Sequence, residues 1–135
     1  MNATNRFSLV LGLVVSLATM FGCQQEDNLL IATGAVTFEG AAVTKGNVVF
    51  EDTSTGYSDT AELDAQGNYS IELPIGEYNV AVEPPLAEVK GDDTDDDFDY
   101  IKVDNIPEKY RNTYESILKV SVSAEQLTHN LEMTK

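Results

Sequence analysis

Along most of the chain after residue 28, hydrophobic and polar positions alternate with period two. Val36 and Phe38 flank Thr37, Val48 and Phe50 flank Val49, and Ala61 and Leu63 flank Glu62. Tyr69, Ile71 and Leu73 alternate with Ser70 and Glu72, and Tyr78, Val80 and Val82 with Asn79 and Ala81. Leu118, Val120 and Val122 repeat the pattern, and Leu127, His129, Leu131 and Met133 share one parity near the C-terminus. Alternation of this kind sends one set of side chains to a buried face and the other to water. It predicts about seven strands, rich in the β-branched and aromatic residues that suit a pleated surface. The segment 64–68, Asp-Ala-Gln-Gly-Asn, reads as a hairpin connection, and Pro74-Ile75-Gly76 as a turn between two strands. No segment after residue 28 sustains a 3.6-residue period with caps, although residues 123–127 have room for one helical turn or a tight connection. Short strands at these spacings predict a single β-sandwich, with a small closed barrel as the alternative.

The first 23 residues break the pattern. One Arg, Arg6, precedes the stretch 7–22, which is uncharged and mostly apolar. A basic start followed by an apolar core of this length is a signal-peptide pattern, because a bilayer-spanning helix needs roughly 20 such residues. The run stops at Met20-Phe21-Gly22-Cys23 and turns polar at once with Gln24-Gln25-Glu26-Asp27. This junction resembles a bacterial lipobox, in which a small residue precedes a Cys that is diacylated and becomes N-terminal; Phe21 stands where Ala or Ser is usual. Cys23 is the only cysteine, so it has no partner for an intrachain disulfide. The expected organisation is therefore a signal peptide over 1–22, a lipidated Cys23 with a tether over 23–32, and a sandwich over 33–135. That sandwich carries a long acidic loop over 84–115. The expected location is the bacterial cell envelope, with the protein held to a membrane through its lipid.

Within the sandwich region the residues carry a second resemblance. Gly34-x-Val36, Gly46-x-Val48-x-Phe50, Asp64-x-x-Gly67-x-Tyr69-x-Ile71 and Pro74-x-Gly76-x-Tyr78-x-Val80-x-Val82 resemble the carboxypeptidase regulatory-like modules. Ile106-Pro107-x-Lys109-Tyr110 is similar to versions on small exported bacterial lipoproteins. The resemblance implies a seven-stranded transthyretin-like or Ig-like sandwich without catalytic activity. The Pro usual in the first turn is absent, and Ala41-Ala42-Val43-Thr44-Lys45 stands there instead.

Charge narrows the partners. Of the 135 residues, 23 are acidic and 8 are Lys or Arg, for a formal charge of −15. Nucleic acid binding needs clustered bases that displace counterions, and a basic membrane-surface helix needs the same, so both are excluded. Removal of residues 1–22 takes away one base and no acid. An envelope protein or a glycan remains as the expected class of partner, beside the membrane itself.

The acids concentrate in one place. Six carboxylates fall in the eight residues from Asp92 to Asp99. Asp93, Asp95, Asp97 and Asp99 lie at alternate positions, with Asp104 five further on. Calcium takes several oxygen ligands, and this spacing delivers them from one loop. Phe98 stands where an EF-hand loop needs Gly, so the other reading is a solvated, self-repelling loop. Downstream, Tyr100, Tyr110, Arg111 and Tyr114 form a candidate binding patch, since aromatic rings stack and Arg donates directionally. The alternative is a crossover whose rings pack on the sandwich edge. Either a calcium-dependent or a carbohydrate-binding module would use this 84–114 segment. His129 is the only histidine and no G-x-S-x-G elbow occurs, which leaves no legible catalytic constellation. The expectation is a non-enzymatic binding or scaffold module.

Overall fold

A computed structural model describes residues 28–88 and 98–135. The described chain is all-β, with one three-residue 3-10 turn. Its strands are β1 (Leu30–Phe38), β2 (Ala41–Ala42), β3 (Asn47–Asp52), β4 (Tyr57–Glu62), β5 (Asn68–Leu73), β6 (Gly76–Glu83), β7 (Leu86–Glu88), β8 (Phe98–Tyr100), β9 (Leu118–Val122) and β10 (Leu131–Met133). Each of the seven segments of period-two alternation overlaps one of the longer strands or β10. β2, β7 and β8 are too short for a period to show.

Two four-stranded sheets face each other. β1 is the hub of the first: it pairs antiparallel with β5 over Leu30–Ala35 and with β2 at Thr37–Phe38, and parallel with β10 over Val36–Phe38. The second sheet runs β4-β3-β6-β9, antiparallel throughout. The inward parity of each strand fills the space between them. Val36, Val48, Phe50, Leu73, Tyr78, Val80, Val82 and Met133 are all buried. Phe50 from one sheet meets Tyr69 from the other at 5.6 Å between ring centroids and Tyr78 at 6.1 Å, tilted and edge-on arrangements that suit the ring quadrupoles.

Two connections read as local turns carry the chain between sheets. The 64–67 turn leaves β4 in the second sheet and enters β5 in the first, so it is not a hairpin. The Asp64 Oδ1 accepts the amides of Gln66 and Asn68, both at 2.8 Å, and Gly67 takes φ 81°. The same local chemistry serves a hairpin or an arch; the facing core decides between them. The 74–75 turn returns from β5 to β6 in the same way. There the Tyr78 hydroxyl donates to the Pro74 carbonyl at 2.8 Å, a tyrosine corner that pins the turn to the strand it starts. The 53–56 turn, by contrast, closes a true hairpin between β3 and β4.

The sandwich thus has two distinct ends. The start of β1 and the turns 53–56, 74–75 and 123–126 share one end, since Leu30 pairs with Leu73, Asp52 with Tyr57, and Gly76 with Val122. The turns around Gly40, Gly46 and 64–67 share the other. β1 begins at Leu30, inside the segment expected as tether. The 84–115 connection contains much more structure than its sequence shows. β7 and β8 pair as a two-stranded ribbon rooted at that second end, where Ile101 N–H donates to the Pro85 carbonyl at 2.8 Å. Beyond it Ile106 and Tyr110 are buried in the main core.

Candidate functional site

The residues singled out in the sequence separate in space. Cys23, Asp93, Asp95 and Asp97 lie outside the described residues, and Asp99 is described only as a strand residue paired with Ala87. Asp104 is exposed and sits past the root of the β7–β8 ribbon. The ribbon's outermost pair is Glu88 with Phe98. Among the described residues no group of three or more His, Cys, Asp or Glu converges as a metal site.

The Tyr and Arg residues are divided as well. Tyr110 is 1% exposed, in the 3-10 turn Glu108–Tyr110, and so presents no stacking face to solvent. Bonds with the Thr134 hydroxyl and amide hold its own hydroxyl below the usual tyrosine pKa, tying the crossover to the end of β10. Arg111 directs its Nε to the Ile106 carbonyl at 2.8 Å and one terminal nitrogen to the Val103 carbonyl at 3.3 Å. It is thereby committed to holding a loop. Tyr100 is half exposed on the ribbon. Tyr114, 80% exposed, reaches Glu51 on β3, whose other oxygen accepts the Thr113 hydroxyl. Two of the four residues thus do packing and loop-fixing work, and the remaining two stand on different elements. The crossover that packs its rings on the sandwich, weighed above as the alternative, describes Tyr110.

His129 is buried and its Nε2 lies 3.1 Å from the Gln126 carbonyl. Its main chain does more: the amide donates to Thr33 at 2.8 Å, and the carbonyl accepts the Tyr69 hydroxyl at 2.6 Å.

Two shallow clefts mark the two ends. At the β1-start end a cleft of about 390 Å³ is lined by Asp52, Thr55, Gly56, Tyr57, Pro74, Ile75 and Tyr78. Asp52 is only 6% exposed, yet its carboxyl is held below the usual range. The Ser54 hydroxyl at 2.6 Å is the main cause, with the Ser54 amide at 2.8 Å next, and together with Thr55 they outweigh the effect of burial. Burial pushes the neighbouring Tyr78 hydroxyl up to about 12, with the Asp52 charge and Tyr57 adding to it. At the ribbon end a cleft of about 520 Å³ runs between Lys45, Gly46 and Glu62 on one side and Pro85, Leu86 and Ile101 on the other. Neither cleft is announced by a motif. Each is assembled from turns far apart in sequence.

No family model matches the chain, and no curated protein matches it. Among solved structures it is similar to the major pilin subunit BcpA of Bacillus cereus, at 15% identity and a TM-score of 0.43. The match covers 77% of this chain and 29% of the pilin, so the chain spans less than a third of that protein's length.

Proposed function

We propose that the protein is a lipid-anchored, non-enzymatic binding or scaffold module of the bacterial cell envelope. Its sandwich is read as the carboxypeptidase regulatory-like, transthyretin-like kind. The observation that carries the anchor is the uncharged stretch 7–22 ending at Gly22-Cys23, with β1 starting only seven residues later at Leu30. That arrangement suits a domain held close to a lipid. Several acyl chains hold a protein firmly, at about 0.8 kcal/mol per buried methylene. The family assignment is supported by the run from Asp64 to Val82, whose turn residues and core parity all have structural uses. The partner is an envelope protein or a glycan.

Metabolic labelling with a fatty acid tests the anchor. The protein should carry label and fractionate with membranes, and Cys23→Ala should lose both properties. A Cys23→Ala variant that still labels and stays in the membrane fraction would sink the reading.

A second reading, calcium binding by the acidic stretch, draws support from the ribbon. Pairing of Glu88 with Phe98 brings together the two ends of a nine-residue segment that contains Asp93, Asp95 and Asp97. Calorimetric titration decides it: absence of heat at millimolar calcium, or unchanged binding after Asp95→Asn and Asp97→Asn, removes it.

A further inference from the structure

The end of the sandwich at which β1 begins combines three features. The first is apolar surface. Leu29 and Ile31, 46% and 58% exposed, have the same parity at the start of β1, and Ile75, 64% exposed, tips the adjacent β5–β6 turn. Ile31 pairs with Glu72, so residues 74–75 follow directly on the strand bordering β1. Exposed apolar area costs about 25 cal/mol per Å² when it could be covered. The second feature is charge. The segments that build this end, 28–31, 53–57, 72–77 and 122–126, contain no Lys or Arg, whereas Glu72, Glu77 and Glu125 belong to them. The third is reach. Leu29 lies six residues after Cys23, a span of at most about 22 Å when fully extended. The opposite end lies farther by the length of β1, nine residues or about 30 Å at strand rise.

We infer that this end seats on a zwitterionic lipid bilayer, with Leu29, Ile31 and Ile75 entering the headgroup region. The inference rests on the anchored reading of Cys23. It adds an orientation: the turns 53–56 and 74–75 face lipid, while the 64–67 turn and the β7–β8 ribbon face away from the membrane. The choice of lipid follows from charge. Ammonium groups of zwitterionic headgroups complement the carboxylates around the apolar residues, whereas an anionic surface would repel them.

The test uses the lipidated chain from Cys23 onward in vesicles of phosphatidylethanolamine and phosphatidylcholine containing a headgroup nitroxide lipid. Fluorophores are placed singly by Ile75→Cys, Thr53→Cys or Gln66→Cys, all exposed turn positions. Vesicle flotation is read in parallel. The expected result is flotation of all three proteins, loss of most fluorescence at positions 75 and 53, and none at 66. Replacing part of the zwitterionic lipid with phosphatidylglycerol should weaken quenching at 75. Protein that floats but is unquenched at 75 and 53, or equally quenched at all three positions, overturns the docking and leaves the anchor standing. Docking on another envelope protein predicts the unquenched result. Protein that does not float overturns both.

Discussion

Gly34 on β1 and His129 ahead of β10 approach so closely that a Cβ built on Gly34 would lie 1.8 Å from the His129 carbonyl oxygen. The same carbonyl accepts the Tyr69 hydroxyl at 2.6 Å. One main-chain oxygen therefore receives a side chain from β5 while resting on a glycine of β1, and it fixes the segment leading into β10 against both strands. Gly34→Ala should destabilise at or beyond the upper end of the ~1–3 kcal/mol typical of overpacking, because the opposing atom is backbone and has little freedom to move. Tyr69→Phe should cost about 1–3 kcal/mol by leaving that buried carbonyl without its donor. Urea unfolding of both variants checks the order, and a milder loss for Gly34→Ala than for Tyr69→Phe would contradict this packing.

Alkaline unfolding should follow the two core tyrosines. Burial raises the pKa of Tyr69 and Tyr78, Tyr78 to about 12. A raised folded-state value means that the neutral form is favoured in the fold. The resulting stability is fully present below the ordinary tyrosine pKa of about 10 and is lost as pH rises through the folded value. Near-ultraviolet titration should show Tyr69 and Tyr78 ionising only as the protein unfolds. Ionisation of Tyr69 and Tyr78 near pH 10 with the fold intact would count against it.

Asp52 should govern behaviour in acid. Its folded-state pKa lies below the ordinary 3.8, chiefly through the Ser54 hydroxyl. The stability it supplies is present above the unfolded value and disappears as pH falls through the lowered folded one. Ser54→Ala should shift the acid-unfolding midpoint upward, whereas Ser58→Ala on the exposed face of β4 should leave it unchanged.

Arg111 should matter to stability through the shape of its guanidinium. Its two bonds, to the carbonyls of Ile106 and Val103, come from different nitrogens of one planar group. Arg111→Lys retains charge but lacks that fork, so it should protect the 103–111 segment from proteolysis hardly better than Arg111→Ala. Full protection in the Lys variant would show that charge alone suffices.

These relationships mark how far the sequence could be read. Alternation along 47–50, 69–73, 78–82 and 118–122 announces strands and their buried faces, since parity is a local property of a pleated chain. The sheet to which each strand belongs is not local. Asp64-x-x-Gly67 specifies a tight turn, but only the opposing core makes it an arch between sheets. Tyr110 and Arg111 look like a surface patch in sequence because aromatic and basic residues serve either purpose. The burial of Ile106 beside Gly46 is what draws that crossover against the sandwich.

By itself, the sequence determined the all-β character, the core parity, the acidic balance and the apolar N-terminal stretch ending at Cys23. All of these are properties of a residue and its near neighbours. The tertiary structure alone decided the parallel pairing of β10 with β1, the tyrosine corner at Pro74 and Tyr78, and the division of the molecule into two chemically different ends. Each depends on contacts between segments distant along the chain. Such contacts form where burying apolar faces outweighs the entropy of closing the intervening loops.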